Sequence, residues 1–217
     1  MFLRKAPGVK ESETLLQRMS ITKMEEFVMP PRSTPLLPGC YYHIYNKVVE
    51  GAKLFYSKND FFLYLKHWQE VDFTTCCRLE AYCLMPTHYH YLLKMNDGKL
   101  FSKKLSYLFD VYLKTIKSSQ KHQGRFFANR FQNRLVDNSN YLIHLCGYIH
   151  LNPVVAGIVK NIEKWPFSNY LEFVGKRNGK LWDPEFFHDH FSDHSTYEEF
   201  LKNRYDEKGL ENYIFKD

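Results

Sequence analysis

The chain has no CxxC pair. Its five cysteines (Cys40, Cys76, Cys77, Cys83 and Cys146) are odd in number and follow no metal-binding spacing. That excludes a zinc knuckle and argues against a disulfide framework, leaving buried thiols in a reducing cytoplasm as the simpler expectation. No apolar run approaches the length of a membrane span, and the N-terminal stretch lacks the short apolar core of a signal peptide, so no membrane partner is expected. Internal repeats and low-complexity blocks are missing too, which removes solenoids and arrays. There is no Gly-rich P-loop, so nothing points to nucleotide hydrolysis.

Acid is scarce outside one segment. From Asp183 to the end, 4 Lys and Arg stand against 10 Asp and Glu, whereas the preceding residues hold 26 basic and 14 acidic side chains, for an overall charge of +6. A basic body with an acidic tail suits a polyanion, and an aromatic content of 17% offers rings for base stacking. At 217 residues and 44% hydrophobic, the chain is long enough for one packed domain with appendages.

Residues 1–38 mix charges with a proline-rich end and read as an N-terminal arm or linker. Cys40 to Val49, rich in aromatic and β-branched residues, reads as a first strand. Ser57 or Asn59 caps a helix beginning near Asp60, with Phe61, Leu65 and Trp68 on its apolar face and Phe62 and Leu63 alongside. Strands follow at Cys76–Met85 and His88–Met95, joined by a very tight turn. Lys99 to about Gln120 is a second helix, with Leu100, Leu105, Leu108, Val111, Tyr112, Thr115 and Ile116 near one face and Lys103, Lys104, Lys114, Lys117 and Lys121 on the other. Arg125 to Val136 reads as a strand or a loop leading into one. Its arginines (Arg125, Arg130, Arg134) sit among aromatics, a pattern suited to phosphate contacts with base stacking nearby. A third helix runs from about Asn138 to Asn152, and the acidic extension, 177–217, holds two short helical pieces. The order strand, helix, strand, strand, helix, strand, helix predicts an α+β fold: a ferredoxin-like antiparallel sheet with helices packed on one face, spanning residues 39–176.

Two stretches carry chemistry. In a strand, His88 and His90 share a face because side chains alternate, and two adjacent imidazoles are half of a metal site. In the third helix, Tyr148 and Asn152 lie four apart and so share a face. Pro153 is expected to stop the helix after Asn152, placing the pair in the last turn, where free carbonyls favour a cation. An amide oxygen from Asn152 suits Mg²⁺ or Mn²⁺, and imidazoles tolerate Mn²⁺. Tyr148 is then a candidate nucleophile, its phenolate attacking a phosphate held by that metal. Plain alternatives are a core aromatic at Tyr148 and a simple helix stop at Asn152-Pro153. His144, one further turn back, reads as a surface or supporting residue.

Met85-Pro86-Thr87-His88-Tyr89-His90 resembles the HUH motif of single-tyrosine transposases. Gly147-Tyr148-Ile149-His150-Leu151-Asn152-Pro153-Val154-Val155-Ala156-Gly157 is similar to the tyrosine-helix signature of their REP-associated branch. Gly39 to Lys47 and Trp165-Pro166-Phe167-Ser168-Asn169-Tyr170 agree as lesser stretches, so the resemblance covers roughly Pro38 to Gly175. It implies a metal-dependent enzyme that cuts and rejoins single-stranded, hairpin-bearing DNA in the cytoplasm, at the nucleoid. On that resemblance His88, His90 and Asn152 hold Mg²⁺ or Mn²⁺. Tyr148 forms a 5′-phosphotyrosine link. The charge pattern, in turn, makes Lys103, Lys114, Lys117, Arg125, Arg130 and Arg134 the expected DNA contacts.

Departures are visible as well. Gly147 stands where relatives often carry arginine, and Tyr89 fills the usually more apolar slot between the histidines. Tyr112 is a rival nucleophile by composition. A silent relative that only grips hairpin DNA or RNA, and a metal hydrolase in which water attacks, are the competing readings. Both a homodimer and a monomer are compatible with the sequence.

Overall fold

The computed structural model describes residues 35–120 and 124–206, with side chains as far as residue 203. The arm expected at 1–38 therefore lies, up to residue 34, outside the described residues, as do Lys121 and the end of the acidic extension. Along the chain run β1 (Tyr41–Lys47), α1 (Lys58–Val71), β2 (Cys77–Met85), β3 (His88–Met95), α2 (Gly98–Gln120), β4 (Gln132–Val136), α3 (Ser139–Val155), a short α4 (Tyr170–Phe173), α5 (Pro184–His190) and α6 (His194–Asp206). The strands form one sheet in the order β2-β3-β1-β4, with every neighbouring pair antiparallel. This is the expected ferredoxin-like βαββαβ arrangement, with the first and third strands central.

The expected one-sided helical layer is half of what forms. Helices α1 and α2 cover the face that carries Tyr89 and Tyr91: Trp68 packs on Tyr91 with ring centroids 4.8 Å apart, the Tyr64 and Tyr91 hydroxyls share a hydrogen bond of 2.6 Å, and Phe109 lies against Tyr89 at 5.2 Å. Helix α3 instead covers the opposite face, where Tyr148 meets His90. Both faces of the central strands are thereby buried, and β3 is buried almost throughout for that reason, His90 included. Helix α3 is itself enclosed nearly all round, by the sheet on one side and by Phe200 and Leu201 of α6 on the other, as its mostly apolar sequence requires. The residues of α5 and α6 join the same core, with Phe186, Phe187, Tyr197 and Leu201 all buried.

Local chemistry sets the boundaries. The Asp60 carboxylate accepts from the backbone N–H groups of Tyr56 and Ser57 at 2.8 and 2.7 Å, satisfying donors just ahead of α1. At the other end, Asp72 adopts φ +51° and Lys104 donates its ammonium protons to the Val71 and Asp72 carbonyls, so a lysine expected on a solvated face closes the neighbouring helix. The inward residues of α1 are Phe61, Tyr64 and Trp68, while Phe62 is exposed. Those of α2 are Phe101, Leu105, Leu108, Phe109, Tyr112 and Ile116. Phe101 and Phe109, rather than Leu100 and Val111, thus complete the stripe. Proline 153 does not stop α3, which continues to Val155 before Gly157 turns the chain with φ +67°. A proline ring fits helical φ, but here it forfeits the N–H bond to the Ile149 carbonyl and crowds that carbonyl, and the helix runs only two residues further.

The turn between β2 and β3 is fixed from outside. The Pro86 carbonyl accepts from Leu54 and Phe55, and the Thr87 carbonyl accepts from Val48. The far edge of β2 is covered by residues 167–169: the Phe167 carbonyl accepts from the Leu84 N–H at 2.9 Å, and the Asn169 side chain accepts from the Tyr82 N–H at 2.8 Å while donating to the Glu80 carbonyl at 2.8 Å. Covering that edge removes a row of unpaired backbone groups. Among the described residues no helix is long and apolar enough to cross a membrane.

Candidate active site

Three strands and one helix meet at the site. His88 and His90 project from the same face of β3, their ring centroids 5.1 Å apart and nearly perpendicular. His90 is buried and His88 half-buried. The Nδ1 of each ring has a hydrogen-bond partner. The Nδ1 of His88 bonds the Thr87 hydroxyl at 3.0 Å, and the Nδ1 of His90 bonds Nε2 of His43 at 3.0 Å. The Nε2 atoms are therefore the ones with which this pair would meet a cation. Burial, followed by the neighbouring His43 and His88 rings, holds His90 well below the usual histidine range, so it stays in the neutral form that ligates metals.

Tyr148 comes to this pair from α3. Its half-buried ring stands edge-on to His90 at 5.7 Å and to His43 at 6.4 Å. Asn152, one turn on, is buried and donates through Nδ2 to the Tyr148 carbonyl at 3.3 Å, leaving its amide oxygen as the donor atom for a ligand. The Asn152 carbonyl accepts from the Ala156 N–H, so the last-turn negative end expected beside this residue lies further along the helix. Two imidazoles and an amide oxygen are a donor set compatible with Mn²⁺ or Mg²⁺. Among the described residues, no group of three or more His, Cys, Asp or Glu side chains is placed to hold a metal ion. A cation here would rely on Asn152 and on oxygens of the substrate.

The expected basic contacts divide. Arg134 lies opposite His43 in the β1–β4 register, on the strand face turned toward the site, and its guanidinium sits over the Tyr141 ring at 5.4 Å. Arg125 and Arg130 are exposed in the loop before β4. Lys103, Lys114 and Lys117 ride on α2, across the sheet from the histidines, and so stand apart from the tyrosine. The aromatics of the arginine loop serve the core rather than an open stacking surface. Phe126 is buried, Phe127 lies edge-on to Phe109 at 5.1 Å, and Phe131 lies edge-on to Phe101 at 5.7 Å. Tyr112 is buried on the α1–α2 side and donates its hydroxyl proton to the Leu54 carbonyl at 2.7 Å, which takes it out of contention as a nucleophile. His144 stacks on Phe200 at 5.5 Å, in the contact between α3 and α6.

Sequence reasoning missed what surrounds the tyrosine helix. His43 is fully buried against His90; its place two residues before Tyr45 on an alternating strand was legible, but its pairing with β3 was not. His150 is buried between Tyr197 of α6 and Asn169: the side-chain Oδ1 of Asn169 accepts from Nε2–H at 2.9 Å, and Nδ1 accepts from the Tyr197 hydroxyl. At Gly147 a Cβ would lie 2.9 Å from Leu201 and 3.2 Å from Phe200, so this glycine marks the close approach of α6.

No family model matches the sequence. Over 101 residues the chain is 27% identical to a Haemophilus influenzae protein named "Putative REP-associated tyrosine transposase", a match covering 42% of this chain and 57% of that protein's length. The fold matches a REP-associated tyrosine transposase solved bound to a REP hairpin, with a TM-score of 0.52 and 18% identity over 72% of this chain and 94% of the other. In sequence over part of its length and in fold over more of it, the chain is similar to REP-associated tyrosine transposases.

Proposed function

We propose that the protein is a DNA strand transferase that cleaves and rejoins single-stranded, hairpin-bearing DNA through a 5′-phosphotyrosine intermediate. The observation that carries this reading is the approach of Tyr148 to the tethered His88–His90 pair within one chain. His88 and His90 through Nε2, and Asn152 through its amide oxygen, would hold Mg²⁺ or Mn²⁺. When bound, the cation polarises the scissile phosphate and offsets the negative charge developing on it. The Tyr148 oxygen forms a bond to phosphorus as the bond to the 3′ oxygen breaks; the phenol loses its proton and the released 3′ oxygen gains one. Attack by that 3′-hydroxyl in reverse restores the backbone, so no nucleotide cofactor is consumed. Arg134 would contact a phosphate beside the site, with Arg125 and Arg130 as further contacts from the loop before β4. The lysines of α2 would serve a separate part of the DNA.

The neighbour solved with a REP hairpin makes hairpin DNA the substrate to try first. The full chain is incubated with labelled hairpin-bearing single-stranded DNA and Mn²⁺, then denatured. A covalent protein–DNA adduct is expected in the wild type and lost in Tyr148→Phe, with binding retained. Cleavage without an adduct would favour water as nucleophile, and binding without cleavage would favour a silent hairpin-binding relative.

A further inference from the structure

The geometry points to His43 as the positioning residue that fixes the tautomer and orientation of His90, an inference that rests on the metal-binding reading of the His88–His90 pair. A histidine offers a cation one nitrogen only when the other carries the ring proton, and that proton needs an acceptor. For His88 the Thr87 hydroxyl takes this part, 3.0 Å away at the fixed turn. For His90 the partner is another imidazole: His43 Nε2, also at 3.0 Å. If Nε2 of His90 faces the cation, its Nδ1–H donates to Nε2 of His43, and His43 must carry its own proton on Nδ1.

His43 suits that task and is poorly placed for a direct one. Its side chain is fully buried, so bulk water does not compete for the bond. Its ring stacks on Tyr45 at 4.7 Å and 27°, and its plane lies within 18° of the His90 ring, the near-coplanar arrangement that an in-plane N–H···N bond requires. Backbone register enforces the pairing. On β1, His43 and Tyr45 share the face turned toward α3, and Tyr45 lies opposite His90 across the ladder. With Nε2 committed to His90, His43 is a supporting residue for the metal ligand and not a ligand.

The test compares the metal-free full chain with His43→Phe, which keeps a planar ring on Tyr45 but accepts no hydrogen bond, and His43→Gln, whose side-chain oxygen reaches about where Nε2 lay. Mn²⁺ is titrated in without DNA and the free ion is followed by electron paramagnetic resonance. Affinity should fall about 10- to 100-fold in His43→Phe, the range seen when such partners are removed, and recover in part in His43→Gln. Hairpin-DNA binding in chelator should be the same in all three. A His43→Phe protein that is folded and binds Mn²⁺ like the wild type overturns the assignment and leaves the metal reading standing. A wild type that binds no Mn²⁺ defeats the metal reading itself. Should His43→Phe not fold, ring nitrogen–proton correlations of the wild type decide: the His90 proton on Nδ1 supports the role, and on Nε2 it overturns it.

Discussion

Two tyrosines show how burial separates a nucleophile from a structural hydroxyl. Tyr148 and Tyr112 both sit on helices with apolar neighbours, and composition alone treats them alike. Tyr148 is half-buried with its ring edge on two imidazoles. Tyr112 is sealed, and burial followed by the Asp60 carboxylate pushes its phenol far above the usual range, so it does not ionise at working pH. Removing its hydroxyl leaves the buried Leu54 carbonyl without that donor, a loss of about 1–3 kcal/mol. Tyr112→Phe should therefore unfold at lower urea while forming the DNA adduct at wild-type yield once folded. Loss of the adduct in this variant at a temperature where it is fully folded would reopen the choice of nucleophile.

Strands and helices were mostly legible in the sequence, whereas the assignment of faces was not. A tight, proline-bounded turn marks β2 and β3, and periodicity finds α1, α2 and α3, because those signals depend on a single element. Whether α3 covers the same face as α1 and α2 depends on how far the chain must travel after β4, and no local spacing encodes that. The same holds for His43, whose role exists only through the β1–β3 register. The segment after α3 escaped for another reason: Arg177 organises it through contacts that are close in space but carry no periodic pattern. Its guanidinium forks onto the Glu172 carboxylate at 2.6 and 2.7 Å and donates to the Pro166 and Ser168 carbonyls, holding the stretch that covers the edge of β2. Glu172 is buried, so Arg177→Ala should destabilise the fold by about 3–5 kcal/mol, because a buried charge loses its partner. Arg177→Lys should recover only part of this, since an ammonium cannot reproduce the fork. Equilibrium urea unfolding checks both; a lysine variant as stable as the wild type would mean the fork contributes nothing beyond charge.

At the scale of the whole molecule, the acidic C-terminal helices and the basic body are joined through a buried polar line from Tyr197 to His150 to Asn169 to the edge of β2. That line makes stability depend on pH with a definite sign. Burial, working against the bond to Asn169 and aided by Arg177, lowers His150 to about 4, and burial with Arg134 nearby lowers His43 to about 3. Between the ordinary histidine value near 6.5 and about 4, the unfolded chain binds a proton at His150 that the folded chain refuses. The stability present above pH 6.5 is thus progressively lost as pH falls toward 4, by roughly 3 kcal/mol for this group alone. His43 extends the loss to lower pH. Glu80 opposes this, because burial raises its carboxyl to about 7 and the folded chain takes up that proton first. The test is therefore made in Glu80→Gln, where urea midpoints measured in chelator at pH 7.5, 6 and 4.5, at constant ionic strength, should decline steadily. The chelator matters because a metal bound to His88 and His90 would add a second proton linkage. Tyr197→Phe should be less stable at pH 7.5, since Nδ1 of His150 loses its donor, yet keep the same decline, because burial rather than that bond depresses His150. A midpoint that holds constant from pH 7.5 to 4.5 would show that His150 takes up a proton in the folded protein as readily as in the unfolded chain, which a histidine sealed between α6 and the sheet edge does not do.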